Sequence, residues 1–301
     1  MRRHTMTRPN VAVIGLGNMG GPMAANLAQA GVSVHGFDVV DAAKAKAADA
    51  GVTVHDTAVD AAQAADIIIT MLPNGGLVAQ VLTDIVDAVG DNAKTFVDCS
   101  TISVGEAQSN AELVGARGHR YLDAPVSGGV AGAAAGTLAF MVGGSEEDLA
   151  TIRPLLDIMG RSITLCGPVG TGEAAKLCNN MILGVQQIAV AEGLVMGQRL
   201  GLTSQAFFDV VSNSTGSCWA LTTNCPAPGV LGNAPADNDY TPGFATDLIV
   251  KDLNLAMDSV EATGTDAQLG RLAAQIYSQL QVDGLGAKDC SVIFDELKDR
   301  N

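Results

Sequence analysis

Aromatic side chains are scarce in this sequence of 301 residues. Phe, Tyr and Trp together make up 4% of it and there is one tryptophan, although hydrophobic residues make up 48%. The core must therefore be built mainly from Ala, Val, Leu, Ile and Met. A chain of this length is too long for one ordinary core, so it predicts two domains.

Positive charge is also scarce. Lys and Arg number 17 against 32 Asp and Glu, which gives a formal net charge of −15. Nucleic-acid binding requires a basic face, so this balance argues against it. The negative field also repels anionic ligands at long range. An anion site would therefore have to be built locally from backbone N–H groups, helix N-termini and a few lysines.

Several further signals are missing. The six cysteines contain no Cys-x-x-Cys pair and the four histidines have no metal-like spacing, so we expect reduced thiols in a cytoplasmic protein and no metal. The sequence has no stretch of 18 or more apolar residues, so no membrane span is predicted. The basic segment 1–10 lacks the apolar region of a signal peptide, and we interpret it as a frayed leader.

Short apolar runs alternate with helical patterns in the first half of the chain. This alternation predicts a doubly wound, mostly parallel Rossmann sheet with helices on both faces. Strands are predicted at 11–14, 32–37, 52–54, 67–72, 95–98, 121–124, 138–142 and 162–165. Helices are predicted at 18–30, 41–50, 60–65, 77–89, 104–116 and 146–159.

The second half has a different pattern. A long apolar stretch at helical spacing covers 173–200, and further helices are predicted at 204–212, 248–263, 268–282 and 290–299. An irregular loop is predicted between them, at 212–244. We predict a dinucleotide-binding domain at 9–171 and an all-helical domain for substrate binding and oligomerisation at 172–301. The apolar surface of the long helix favours a homodimer or homotetramer.

The loop after the first predicted strand has the sequence Gly15-Leu16-Gly17-Asn18-Met19-Gly20. Between a strand and a helix, this Gly-x-Gly-x-x-Gly predicts a dinucleotide site. Its glycines permit a tight turn, the approach of a pyrophosphate and close helix–strand packing. Asp38 ends the second predicted strand, where a carboxylate accepts hydrogen bonds from ribose hydroxyls and repels a 2′-phosphate. No arginine follows it directly, so the predicted cofactor is NAD.

Other strand ends carry further candidates, because ligands bind at the carboxyl ends of strands in open α/β sheets. Leu72-Pro73 and Ser100-Thr101 follow two such strands, and either contact the nicotinamide half or form ordinary turns. Ser127-Gly128-Gly129 is either a structural turn or a nest of backbone N–H groups for a substrate carboxylate.

Lys176 lies on an alanine-rich helix that follows a glycine-punctuated loop. Desolvation lowers the pKa of a buried lysine, which suits a general acid–base at an alcohol; the alternative is a lysine that extends to solvent along a packed helix. Asn180 follows one turn later on the same face and can hold a substrate oxygen, whereas we expect Asn179 to be structural.

Three residues of the second half are further candidates. Lys251, beside Asp252, either reaches the ligands or forms a surface ion pair. Trp219 and Phe244 either close the substrate pocket against water or pack in the core.

These features together resemble the β-hydroxyacid dehydrogenases over nearly the whole chain. The resemblance rests on the glycine fingerprint extended to Met23 and on segments 123–129, 167–180 and 251–258. Segments 214–219 and 224–229 are similar to the 3-hydroxyisobutyrate dehydrogenase branch. The resemblance implies Lys176 as the catalytic residue. It implies that Ser127, Gly128, Gly129 and Asn180 hold the substrate, and that Leu72, Pro73, Thr101 and Lys251 join the glycine loop in binding NAD.

The implied activity is the oxidation of (S)-3-hydroxyisobutyrate to methylmalonate semialdehyde in valine catabolism. A related reductase of tartronate or succinic semialdehyde stays open, because the walls of the pocket decide between such substrates. A 6-phosphogluconate enzyme is disfavoured, because the chain is short and shows no basic phosphate clamp. A non-catalytic NAD-binding module is disfavoured by the retention of Lys176 with Asn180.

Overall fold

The computed structural model describes residues 9–90 and 93–299. Most of the predicted leader, residues 1–8, lies outside these ranges. The chain divides into two compact units, one ending at Lys176 and the other beginning at Leu177. Within the described ranges, no helix combines the length and the apolar character needed to cross a membrane.

The first unit contains a nine-stranded sheet in the part of the chain that is described. Its order is β3-β2-β1-β4-β5-β6-β8-β7, with β9 beside β8. The strands from β1 to β6 pair in parallel, whereas β8 runs antiparallel to β6 and β7. The strands are β1 Val11–Ile14, β2 Val34–Phe37, β3 Thr53–Val54, β4 Ile67–Thr70, β5 Thr95–Asp98, β6 Arg120–Asp123, β7 Val126–Ser127, β8 Leu138–Gly143 and β9 Gly160–Gly167.

Helices cover both faces of this sheet, as a doubly wound fold requires. Alternate residues of β1 point to opposite faces, so Val11 and Val13 join one hydrophobic core while Ala12 and Ile14 join another. The predicted Rossmann architecture is confirmed. The helices are α1 Gly20–Gln29, α2 Asp41–Asp49, α3 Ala58–Gln63, α4 Gly75–Val86, α5 Val104–Gly115, α6 Gly129–Ala135 and α7 Glu146–Met159.

The strand order reverses direction at β1, which lies between β2 and β4. Chain connections leave β1 and β4 towards opposite sides at such a point, which opens a crevice at the carboxyl ends of the strands. The loop at residues 15–19 and the segment at 71–73 begin at those ends. Met71 N donates to the carbonyl of Ile14 over 2.9 Å, which holds the two segments together.

The second unit is helical. Its first helix, α8 Thr171–Arg199, begins within the first unit and has 29 residues. Its core contains Ile249, Leu253, Tyr277 and Phe294, all buried. The other helices are α9 Ser204–Val211, α10 Trp219–Thr222, α11 Thr246–Thr263, α12 Gln268–Leu280 and α13 Ile293–Asp299, with 3₁₀ turns at Pro235–Asn238 and Cys290–Val292.

Several predicted bounds differ from the observed ones by two or three residues, and the predicted helix 290–299 is a 3₁₀ turn followed by α13. Three further differences have a clear local form. Helix α1 begins at Gly20 and not at residue 18, because residues 17–19 form the turn of the glycine loop. The short elements β7 and α6 were not predicted. The segment 212–244, predicted to be irregular, contains α10 and the 3₁₀ turn Pro235–Asn238.

Candidate active site

The glycine loop follows β1 in a conformation that its sequence dictates. Gly15 has φ +96°, and a Cβ there would overlap the carbonyl of Met71. A Cβ at Gly20 would overlap the carbonyl of Gly15. At Gly17, in contrast, an added Cβ would meet no heavy atom within 4 Å. The protein's own packing therefore leaves open space over Gly17, and a dinucleotide pyrophosphate fits this cradle.

Asp38 is bound to this loop. Its Oδ2 accepts a hydrogen bond from the backbone N–H of Leu16 over 2.7 Å, and its Oδ1 accepts one from Val40 over 2.8 Å. Each oxygen keeps a further lone pair, because an ionised carboxylate accepts about four hydrogen bonds. The carboxylate is thus fixed beside the glycine loop and can still accept bonds from two ribose hydroxyls.

The ends of β4 and β5 are joined by a hydrogen bond. The backbone N–H of Leu72 donates to Ser100 Oγ over 2.9 Å. The buried carboxylate of Asp98 supports this junction, accepting bonds from Thr70 Oγ1 over 2.8 Å and Ser100 N over 3.0 Å. Pro73 and Thr101, both predicted to bind the cofactor, directly follow these two joined residues.

The predicted anion nest begins at the end of β7. Ser127 is half-buried, and the two glycines that follow have φ +131° at Gly128 and φ +63° at Gly129. Two consecutive residues with positive φ favour glycine strongly. Replacing either glycine by another residue would therefore strain the backbone of this segment. That the segment holds a substrate carboxylate stays a prediction.

Asp123, at the end of β6, organises the start of α8. Its Oδ1 accepts a hydrogen bond from the N–H of Gly170 over 2.7 Å, and its Oδ2 accepts one from Glu173 over 2.9 Å. Three residues after Glu173, less than one turn of helix later, Lys176 is only 7% exposed, so its side chain does not extend to open solvent. The glycine-punctuated loop is therefore anchored to the sheet by one buried carboxylate just before the candidate catalytic lysine.

Three acids surround this region, all with 0% exposure: Asp98, Asp123 and Glu173. Burial, followed by the charges of the other two acids, raises the pKa of Glu173 well above its usual value. Its Oε2 accepts one bond, from Ile102 N over 3.3 Å, and its Oε1 has no hydrogen-bond partner within the described ranges. Burial therefore disfavours the charged form of Glu173, although the charge of Lys176 acts on its pKa in the opposite direction.

The second unit places Asn180 in a polar network. Asn180 is 2% exposed, and its Nδ2 donates to Asp252 Oδ2 over 2.5 Å. Asn179, expected to be merely structural, donates from Nδ2 to Asn180 Oδ1 over 2.9 Å. Lys251 Nζ lies 3.3 Å from Asp252 Oδ1. Because Asp252 is buried, this contact is not the surface ion pair that the sequence left open.

The two aromatic candidates have different surroundings. Trp219 begins α10 and is 48% exposed, so core packing does not describe it. Phe244 is half-buried and packs against the core of the helical unit. Its backbone N–H donates over 2.9 Å to the buried carboxylate of Asp289, which also accepts bonds from Gly243 N over 3.0 Å and Asn224 Nδ2 over 3.1 Å. Their contact with a substrate stays a prediction.

Sequence reasoning did not single out Asp123, Glu173 or Asp289 as organising residues. Asp123 had one available signal, an acid at the end of a buried strand directly before a glycine-rich turn. The other two had none, because their partners come from distant segments: Ile102 lies 71 positions from Glu173, and Asn224 lies 65 positions from Asp289.

Two protein-family models together match nearly the whole chain. Residues 10–167 match the family model described as the NAD binding domain of 6-phosphogluconate dehydrogenase. Residues 170–297 match the model described as NAD-binding of NADP-dependent 3-hydroxyisobutyrate dehydrogenase.

Individual relatives agree with these matches. The chain is 52% identical to a probable 3-hydroxyisobutyrate dehydrogenase of Mycobacterium tuberculosis, over 91% of this chain and 92% of that protein. It is 42% identical to an NAD-dependent L-serine dehydrogenase of Pseudomonas aeruginosa, over 94% and 96%. A solved structure of Mycobacterium tuberculosis 3-hydroxyisobutyrate dehydrogenase with L-serine superposes with a TM-score of 0.91 at 50% identity, covering 97% of this chain and 99% of that one.

Proposed function

Because the chain belongs to the 3-hydroxyisobutyrate dehydrogenase family of NAD-dependent oxidoreductases, we propose that it oxidises (S)-3-hydroxyisobutyrate to methylmalonate semialdehyde. This reaction is a step of valine catabolism. The observation that carries the proposal is the burial of Lys176 on α8, with Asn180 four residues later on the same helix. An amine in dry surroundings is a suitable base for the proton of an alcohol.

Lys176 acts as the general acid–base. As a neutral amine it accepts the proton of the substrate hydroxyl, and in the reverse reaction its ammonium returns a proton to the same oxygen. When bound, NAD⁺ supplies the acceptor for the hydride that leaves the carbon. The raised pKa of Glu173 supports this role, because burial disfavours a negative charge on the same helix that would favour the ammonium form of the lysine.

The ligand contacts follow from the positions already described. Asp38 holds the ribose hydroxyls, and the loop 15–20 holds the pyrophosphate. Ser127, Gly128 and Gly129 bind the substrate carboxylate, and Asn180 orients a substrate oxygen. Leu72, Pro73, Thr101 and Lys251 complete the cofactor site, and Trp219 and Phe244 limit the access of water.

L-serine is a second candidate substrate. It is also a 3-hydroxy acid with a primary alcohol, and two of the similar proteins carry it in their descriptions, one as the substrate of a dehydrogenase and one as a bound molecule. Lys176 would accept the same hydroxyl proton from serine. Two sets of initial rates separate these candidates: (S)-3-hydroxyisobutyrate and L-serine with NAD⁺ or NADP⁺, and tartronate semialdehyde and succinic semialdehyde with NADH or NADPH.

Substitution of the lysine tests the mechanism. Lys176→Ala is expected to lower kcat for NADH formation by about 10²-fold to 10⁴-fold, the usual contribution of a general base. The Kd of NADH, measured by fluorescence titration, is expected to stay nearly unchanged. Lys298→Ala, at an exposed lysine of α13, is the matched control. Equal kcat in wild type and Lys176→Ala would remove this residue from the mechanism.

Three broader assignments accompany this function. The first domain binds the dinucleotide, and the helical domain serves substrate binding and oligomerisation as a homodimer or homotetramer. Large apolar side chains exposed on α8 and α12, at Ile182, Met196, Leu269 and Leu272, support assembly. All six cysteines are free, which supports a location in the reducing cytoplasm.

A further inference from the structure

The carboxylate of Asp252 lies between the two residues of the helical unit to which the proposed function gives ligand contacts. Its Oδ2 accepts the bond from Asn180 Nδ2 at 2.5 Å, and its Oδ1 lies 3.3 Å from Lys251 Nζ. Asp252 is 3% exposed, so its carboxylate is shielded from water, whereas the Lys251 side chain is 28% exposed. One buried acid therefore joins an amide assigned to the substrate with an ammonium assigned to the cofactor.

These contacts determine what Asn180 can offer to a ligand. A side-chain amide has two N–H donors on nitrogen and two lone pairs on oxygen. Asp252 takes one N–H, and Asn179 donates to Oδ1. An ionised carboxylate accepts hydrogen bonds and donates none, so the nitrogen of Asn180 must face it. One N–H of Asn180 is left to donate, in a direction that Asp252 fixes.

The other oxygen of Asp252 depends on Lys251. Oδ1 is buried and has no hydrogen-bond partner in the described part of the chain, and the ammonium of Lys251 at 3.3 Å is a positive charge that compensates it. A buried charge that loses its partner is strongly destabilising. When an anionic ligand draws the Lys251 ammonium away, the negative charge on Asp252 must rely more on the N–H of Asn180.

We propose that Asp252 is a positioning residue that couples cofactor binding to substrate binding, with each of its oxygens holding one of the two ligand-contacting side chains. The proposal rests on the roles given above to Asn180 and Lys251. It predicts that a ligand at either residue changes the affinity for a ligand at the other, and by the same factor in both directions.

The test measures this factor directly. The Kd of NADH is determined by fluorescence titration without and with saturating (S)-3-hydroxyisobutyrate, which does not react with the reduced cofactor. The ratio of the two values in wild type is expected to differ from one by about fivefold or more. In Asp252→Asn this ratio of Kd values is expected to approach one. The new amide can present either its oxygen or its nitrogen to Asn180, so it does not fix the orientation of that side chain, and it has no negative charge to attract Lys251.

Asp258→Asn is the matched control, since it removes an exposed acid from the same helix. The control is expected to keep the wild-type ratio. A ratio of one in wild type, or an unchanged ratio in Asp252→Asn, would overturn the coupling. A merely structural role would lower the melting temperature of Asp252→Asn and leave the ratio as it is.

A mutant cycle separates this proposal from the proposed function. The effects of Asp252→Asn and Lys251→Met on the Kd of NADH alone are expected to be non-additive, and this readout needs no turnover. If wild type fails to oxidise the hydroxyacid but the cycle is non-additive, the substrate assignment fails while the proposed effect of Asp252 on cofactor binding through Lys251 stands. Additive effects would overturn that effect of Asp252 on cofactor binding.

A second cycle covers the case in which Asp252→Asn does not fold. Lys251→Met and Asn180→Ala leave Asp252 in place, and their effects on the Kd of NADH with (S)-3-hydroxyisobutyrate are expected to deviate from additivity by about threefold or more. Additivity here would mean that the carboxylate between the two residues transmits nothing, which would overturn the proposal.

Discussion

A single side chain, Glu173, shows how burial changes the chemistry available beside Lys176. Of the three buried acids in this region, Asp98 accepts bonds from Thr70, Ser100 and Tyr121, and Asp123 accepts two from backbone N–H groups. Glu173 accepts one. Burial raises the pKa of all three acids. Because hydrogen bonds to the charged form lower a pKa, the acid with the fewest donors is the one whose pKa lies well above its usual value.

This difference predicts how stability depends on pH. The folded pKa of Glu173 lies well above the unfolded value of about 4.3. As pH rises above that value, the unfolded chain releases the proton while the folded chain keeps it, so the free energy of unfolding of wild type falls. Glu173→Gln carries no such proton. Its gain in melting temperature over wild type is expected to be larger at pH 8 than at pH 5, by about 2 °C or more.

Differential scanning calorimetry at the two pH values measures this gain. Glu192→Gln, at an exposed glutamate of the same helix, serves as the control and is expected to show a pH-independent difference from wild type. A gain for Glu173→Gln that is equal at pH 5 and pH 8 would mean that the carboxyl titrates alike in the folded and unfolded chains.

The sequence predicted some of these residues and not others, for a physical reason. Lys176 and Asp38 belong to local motifs, in which the surrounding glycines and strand ends already define the backbone. Glu173 reads locally as an ordinary acid in the first turn of a helix. Its raised pKa comes first from burial and then from the charges of Asp98 and Asp123, which the parallel sheet brings close from 75 and 50 positions away. No local pattern encodes that approach.

At the scale of elements, the unit β1–loop–α1–β2 combines the two parts of a dinucleotide site. Gly15 and Gly20 allow the loop to pack against itself and against Met71, and the end of β2 delivers Asp38 to the backbone N–H of Leu16. The loop and the acid are therefore one hydrogen-bonded assembly. A change at the acid would therefore act both on the proposed ribose contact and on the loop that is proposed to hold the phosphates.

Asp38→Ala is expected to reduce the preference for NAD⁺ over NADP⁺. The carboxylate repels a 2′-phosphate and accepts bonds from the hydroxyl of NAD⁺, so its removal should lower the ratio of the two kcat/KM values by about tenfold or more. Asp41→Ala, three residues later at an exposed acid paired with Lys44, controls for the loss of one negative charge. An unchanged ratio in Asp38→Ala would contradict the ribose role.

The elements that were not predicted were missed for two different reasons. Helix α6 has seven residues, two of them glycine and four of them alanine, which is too short and too uniform to show a helical period. The segment 212–244 appears irregular in the sequence because part of its order comes from the distant Asp289, which accepts bonds from Gly243, Phe244 and Asn224. Long, strongly periodic elements such as α8 were predicted to within two residues at each end.

For the whole molecule, the exposed apolar side chains of the helical unit make assembly testable. Leu269 and Leu272 lie three residues apart on α12 and are 66% and 52% exposed. Light scattering is expected to give a mass of two or four times 30.6 kDa. The double variant Leu269→Glu/Leu272→Glu is expected to shift this mass towards one copy, because charges placed in an apolar interface must be desolvated.

Leu77→Glu, at an exposed leucine of the first unit, is the control and should keep the wild-type mass. A wild-type mass of one copy would contradict the assembly. An unchanged mass in the double variant would place the interface on another surface.

The anchoring of residues 224, 243 and 244 by Asp289 also bears on the order of events during synthesis. The ribosome adds Asp289 at least 45 residues after the backbone groups that it holds. Until that carboxylate leaves the exit tunnel, the N–H groups of Gly243 and Phe244 lack their acceptor. In the nascent chain, residues 243 and 244 therefore lack these hydrogen bonds while the two intervening helices, α11 and α12, are being translated.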